Sequence, residues 1–322
     1  MSTRREFLQK VSLLTVGGLL GGKGIAGAMN YLSNGEAVVP PASKELGLQI
    51  YSLQRELYTN TPQVMRELRE AGYVNLELAG FSKGKIGGVD MMEFKKMAED
   101  AGLKIVSSHV NPELEGLGRG FATYTRAMLP AAREYWKVTA ADHAKLGCKY
   151  LIQPMMPAVT THEDAALMCE FFNDAGKICK DAGLIFGYHN HDFEFKRIAK
   201  PDAPAGNPFR PSGDYIMDLF IEGTDPASVM FELDVYWTVR GGNDPLEYMK
   251  KYADRIKVLH IKDTAVLGES GLLNFENIYN QMYANGINDW YVELEGIRAS
   301  GSTQLQGVKD CAAYLQRMPF VK

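Results

Sequence analysis

From Leu46 onward the chain repeats one pattern, a short apolar run followed by a longer segment of helical character. The apolar runs predict eight strands: Gly47–Tyr51, Val74–Leu78, Lys104–Ser108, Tyr150–Pro154, Leu184–His189, Met230–Asp234, Lys257–Ile261 and Tyr291–Glu295. Five of them follow a glycine, in Ala71-Gly72, Ala101-Gly102, Leu146-Gly147, Ala182-Gly183 and Asn285-Gly286. Glycine there accepts the left-handed conformation that ends a helix. Helices are predicted over Pro62–Glu70, Met91–Ala101, Thr123–Leu146 (as one piece or two), His162–Ala182, Pro245–Tyr252, Phe275–Ala284 and Ser302–Gln316. Thr61, Asp90, Thr161, Asp244 and Asn274 precede the first five of these that carry a cap, and each offers a side-chain oxygen to the first turn.

Eight strand–helix units in one chain of this length predict an α/β fold, a closed (β/α)8 TIM barrel, over residues 45–322. The competing architecture, an open doubly wound sheet, needs a glycine-rich phosphate loop after its first strand. Here that strand runs into Ser52-Leu53-Gln54-Arg55-Glu56, which has no glycine. The long segment Lys196–Gly213 follows the fifth strand, on the face where barrels carry their sites, and is expected to cover substrate.

The first residues do not share the pattern. Arg4-Arg5-Glu6-Phe7-Leu8-Gln9-Lys10 precedes a weakly apolar, glycine-rich stretch ending at Ala26-Gly27-Ala28. That layout predicts a twin-arginine export signal over residues 1–28 and a linker over 29–44, and so a periplasmic or otherwise exported enzyme. The stretch is short and glycine-diluted for a spanning helix, so no stable membrane anchor is expected. A net charge of -4, a pI near 5.9 and the lack of a basic tract after the signal argue against nucleic acid as a partner. Cys148, Cys169, Cys179 and Cys311 show no metal-binding spacing and are read as mostly buried thiols. Self-association is left open.

Chemistry concentrates at the strand ends. In a barrel all of these line one mouth. Going round it, the chain offers Gln49 and Tyr51, Glu77, His109, Gln153, His189 and His191, Asp234, His260 with Lys262, and Glu293 with Glu295. Any one of these is most simply a hydrogen-bonded structural residue. Together, imidazoles and carboxylates crowding one buried mouth are costly unless a cation or a substrate compensates. They predict a divalent metal site.

The runs Tyr188-His189-Asn190-His191-Asp192-Phe193-Glu194-Phe195, Leu233-Asp234-Val235-Tyr236-Trp237, Leu259-His260-Ile261-Lys262-Asp263 and Val292-Glu293-Leu294-Glu295 resemble the sugar phosphate isomerase/epimerase group of the xylose-isomerase-like barrels. Leu46–Ser52 and Ser107-Ser108-His109 fit as well. The resemblance implies one divalent ion, manganese foremost, with cobalt, zinc or magnesium as alternatives. Its ligands would be Asp234, His260 and Glu293, and His189 where relatives carry a glutamate, with Glu194 as the alternative on that strand. Trp237 stands where some relatives place a further metal-binding histidine, which favours one ion over a cluster. The implied activity is isomerisation or epimerisation of a keto sugar through an enediolate. His109, His191, Lys262 and Glu293 would move or steady the proton, and Glu77, Gln153, Trp237 and Glu295 would contact the sugar. Two alternatives stand beside it: a lyase that cleaves 3-keto-glycosides by the same proton abstraction followed by β-elimination, and a non-catalytic exported sugar-binding barrel.

Overall fold

The computed structural model describes residues 44–114, 123–200, 212–296 and 302–322. The expected signal of residues 1–28, almost all of the linker, and residues 201–211 of the expected covering loop lie outside the described residues. Eight strands form the central sheet: β1 (Leu46–Gln49), β2 (Tyr73–Leu78), β3 (Lys104–His109), β4 (Tyr150–Gln153), β5 (Ile185–His189), β6 (Val229–Asp234), β7 (Ile256–Lys262) and β8 (Asp289–Glu293). They close in the order β1-β8-β7-β6-β5-β4-β3-β2, every neighbour parallel. The open-sheet alternative is thereby excluded. Every residue of β1, β4 and β6 is buried, as expected of strands covered on both faces. Closure of β1 against β8 needs Gly47: a Cβ there would stand 2.1 Å from the Trp290 carbonyl oxygen.

The helices follow from local chemistry. Asp90 caps α2 (Met91–Asp100) through the Met92 and Glu93 amides. Thr161 and Asp164 form a reciprocal capping box on α4 (His162–Asp181). The start of α1 (Thr61–Ala71) corrects the sequence reading: Asn60, not Thr61, is its cap, and Thr61 is its buried first residue. Gly72, at φ 107°, ends it in the left-handed region. The segment expected over Thr123–Leu146 is two pieces, a 3-10 turn at Arg126–Met128 and α3 (Leu129–Leu146). Trp136 of α3 packs edge-on to Phe186 of β5, with ring centroids 5.2 Å apart.

Two helices escaped the sequence reading, α5 (Ile216–Gly223) and α6 (Val235–Arg240). The second continues directly from β6 as Val-Tyr-Trp-Thr-Val, residues that favour strand. Asp234 decides otherwise by accepting the Trp237 amide at 2.8 Å and capping a helix. The remaining helices, α7 (Pro245–Lys251), α8 (Phe275–Ala284) and α9 (Gln304–Arg317), lie where expected within a few residues. Arg197–Ile198 pairs antiparallel with Asp214–Tyr215 at the base of the expected covering loop. All four cysteines are buried free thiols. Among the described residues no helix is long and apolar enough to cross a membrane.

Candidate metal centre

At the C-terminal mouth, residues at the ends of β5, β6, β7 and β8 turn inward. His189, Asp234, His260 and Glu293 each offer one ligand atom, and these four atoms lie within 4.8 Å of one another. All four residues are buried. The structure therefore brings together the four residues expected to hold an ion. Glu194, the expected alternative, lies in the 3-10 turn Phe193–Phe195 after the fifth strand and is otherwise engaged: it accepts the Tyr188 hydroxyl and, at 2.8 Å, the His191 amide.

The register explains the convergence. Asp234 sits beside His260 across the β6–β7 pair, and Lys262 beside Glu293 across β7–β8. His260 Nδ1 lies 3.0 Å from Glu293 Oε2 and 3.9 Å from Asp234 Oδ2. Its other nitrogen, Nε2, lies 2.6 Å from Glu77 Oε2. Lys262, 1% exposed, donates to Glu293 at 3.0 Å and reaches Glu295 as well. Burial would push the Glu293 carboxyl upward, but Lys262 and His260 outweigh it and hold it well below the ordinary carboxylate range. Burial lifts Asp234 to about 7, against the pull of Lys262 and His260.

Other expected site residues fall into distinct places. Glu77 is fully buried and hydrogen-bonded to Gln49, Ser107 and His260. Gln153 is also buried and donates to the Met155 carbonyl at 2.7 Å. Trp237 and His191 are half-buried and Glu295 is exposed. The Lys262 ammonium stands 4.8 Å from the centre of the Trp237 ring, and the Trp237 and His191 rings are 5.5 Å apart. Trp237 Nε1 and His191 Nδ1 are both buried without a hydrogen-bond partner. Burial, with Lys262 nearby, pushes His191 down to about 4. His109, from β3 across the mouth, keeps 10% of its side chain exposed. Burial would lower it, but Glu77 and Glu232 raise it above its ordinary value.

Glu232 is the residue the sequence reading passed over. It lies in the apolar run of β6, two residues before Asp234 and so on the same face. It is fully buried, and its Oε2 meets His109 Nε2 at 2.7 Å, His189 Nδ1 at 3.1 Å and His260 Nε2 at 3.2 Å. Asn190 and Ser107 were also missed as supports: Asn190 accepts the Asp234 amide, and Ser107 donates to Glu77.

The donor set fits a divalent cation. Four buried carboxylates, of Glu77, Glu232, Asp234 and Glu293, share the ammonium of Lys262 and three imidazoles. Asp234 Oδ2, which faces the tetrad, is buried without a hydrogen-bond partner. A buried carboxylate oxygen normally has one. Two imidazoles and two carboxylates form a mixed set that first-row divalent ions accept.

Residues 62–318 match the family described as xylose isomerase-like TIM barrel. A sugar phosphate isomerase/epimerase from Parabacteroides distasonis ATCC 8503 is similar in structure, with 57% identity and a TM-score of 0.81, over 87% of this chain and 100% of that chain. A second one from the same organism is 44% identical, with a TM-score of 0.80, over 90% of this chain and 99% of that chain. Inosose dehydratase of Geobacillus kaustophilus (strain HTA426) is 24% identical over 218 residues, 62% of this chain. The match spans 61% of that dehydratase's own length.

Proposed function

Because the chain belongs to the xylose isomerase-like TIM barrel family, we propose that it is a divalent-metal-dependent enzyme that moves a proton on the carbon beside the carbonyl of a keto sugar. The observation that carries this reading is the buried tetrad of His189, Asp234, His260 and Glu293 around an unpartnered Asp234 oxygen. A divalent ion held there would polarise a carbonyl and make the neighbouring carbon acidic.

The side chains around the tetrad supply the rest. His191 is held neutral, with Nδ1 free of protein partners, and suits the base. His109 is held toward its cationic form by Glu77 and Glu232 and suits the acid. Two groups whose surroundings push them apart in this way divide the acid and base roles. Lys262 stays an ammonium because Glu293 and Asp234 outweigh its burial, so it fixes Glu293 and can steady a developing oxyanion. The Trp237 ring gives a sugar an apolar platform beside it.

Isomerisation or epimerisation is the leading outcome, in keeping with the two Parabacteroides structures. A second outcome, loss of a β-substituent, is favoured by the likeness to inosose dehydratase and by His109, an acid able to protonate a leaving oxygen. The motif around Arg4-Arg5 supports export of the enzyme by the twin-arginine route, with a mature chain of linker 29–44 and barrel 45–322. The test is turnover of free keto sugars, inososes and 3-keto-glycosides in deuterated water by the manganese-loaded protein. Isomerisation or epimerisation should place solvent deuterium beside the product's carbonyl at unchanged composition, whereas elimination should release water or an alcohol while the α-hydrogen passes to solvent. Isomerised or epimerised product free of deuterium would contradict proton transfer.

A further inference from the structure

Around Glu232 lies a second set of metal-binding atoms, which shares His189 and His260 with the tetrad and adds His109 and a carboxylate the proposed chemistry does not use. His109, His189, Glu232 and His260 each present one ligand atom, and these too lie within 4.8 Å of one another. Glu232 is two residues deeper along β6 than Asp234, about 7 Å at the usual rise of a strand. Its Oε2 already touches nitrogens of all three histidines, and its Oε1 is buried without a hydrogen-bond partner. A buried carboxylate oxygen usually has a partner.

We propose that these four residues form a deep second metal seat, selective for zinc and exclusive of the upper one. Three imidazoles and one carboxylate make a nitrogen-rich set of the kind zinc takes in tetrahedral geometry. The upper seat has two carboxylates, which suits a harder ion such as manganese. Exclusivity follows from the imidazoles of His189 and His260, which belong to both sets, and His260 shows how. A neutral imidazole has one lone pair, and its other nitrogen carries a proton. With Nδ1 as ligand, the upper seat is served and the Nε2 proton goes to Glu77, 2.6 Å away. With Nε2 as ligand, the deep seat is served and the Nδ1 proton goes to Glu293, 3.0 Å away. Each tautomer thus has a carboxylate acceptor in place, and one ring cannot ligate both ions while it keeps its proton. Zinc in the deep seat therefore empties the upper one and silences the enzyme.

The deep seat rests on the reading of the upper tetrad as the working site, and the experiment separates the two. Binding of zinc alone and of manganese alone is measured by equilibrium dialysis on the wild-type protein, Glu232→Gln and Asp234→Asn. Glu232→Gln should weaken zinc by ~10-fold or more and leave manganese within a few-fold, because a glutamine oxygen still accepts from His189 and Glu77 still holds His260. Asp234→Asn should do the reverse. With both metals present, the total should stay at about one ion per chain, zinc displacing manganese. Unchanged zinc affinity in Glu232→Gln, or zinc and manganese bound together, overturns the deep seat. Unchanged manganese affinity in Asp234→Asn instead overturns the upper one, while the zinc result for Glu232→Gln still decides the deep one. Should Glu232→Gln fail to fold, His109→Asn carries the same zinc test.

Discussion

Replacing Lys262 with methionine separates what the buried ammonium does for the fold from what it does for chemistry. Lys262 is 1% exposed and lies 3.0 Å from Glu293 Oε2 and 3.8 Å from Asp234 Oδ2, with Glu295 as a third partner. Methionine keeps much of the aliphatic stem, so the loss is mainly electrostatic. Removing one partner of a buried ion pair costs ~3–5 kcal/mol, because the other charge stays buried and uncompensated. The contact with Glu295 adds little, since that carboxylate is 41% exposed and exposed pairs contribute ~0–1 kcal/mol. A chain of this size loses about 2 °C of Tm per kcal/mol, so Lys262→Met should lower Tm by roughly 6–10 °C in chelator. Glu295→Gln, the control, should lower it by about 2 °C or less. Manganese should recover a large part of the Lys262→Met loss, because a cation in the tetrad compensates the same two carboxylates. The assay is thermal denaturation followed by circular dichroism at one scan rate, with chelator and with manganese. A Lys262→Met drop no larger than that of Glu295→Gln would show that the ammonium does not balance the buried carboxylates.

Burial lifts Glu194 from 4.5 to about 8, so the folded protein keeps a proton that the unfolded chain releases. The stability this contributes is complete below the ordinary carboxylate value and is lost as pH rises toward about 8. The stability of the wild-type protein relative to Glu194→Gln in urea denaturation should therefore fall from acid to mildly alkaline pH, and a relative rise would contradict the assignment. Replacing Arg4 and Arg5 together with lysine should leave precursor in the cytoplasm on fractionation, and normal export of that variant would dismiss the twin-arginine route.

Much of the barrel was legible because its strands are buried on both faces and its helices begin on capping residues. The apolar runs and the Asp90, Thr161, Asp244 and Asn274 caps needed no tertiary information. What escaped depended on contacts made at a distance. α6 looks like strand until Asp234 is seen to cap it. Asn60 outcompetes Thr61 as a cap because Thr61 is buried as the first residue of its helix. In the site, the strand-end pattern brought out His189, Asp234, His260 and Glu293, since each closes its apolar run or lies near its end. Glu232 sits inside such a run, flanked by Phe231 and Leu233, and reads as an interruption of the core. The alternation that pairs it with Asp234 on one face was available and points straight at it. Glu77 was legible as a polar strand-end residue, while its partners were not. Its place at a strand end suggested a sugar contact, and it is hydrogen-bonded to Gln49, Ser107 and His260.

The central claim is that one divalent ion is held by His189, Asp234, His260 and Glu293. Elemental analysis of the mature protein after manganese loading and exhaustive dialysis tests it most directly, with Asp234→Asn and His260→Ala prepared alongside. The wild-type protein should retain about one manganese per chain, and each variant should bind it at least ~10-fold more weakly. Equal retention of manganese by the wild-type protein and both variants would contradict the account.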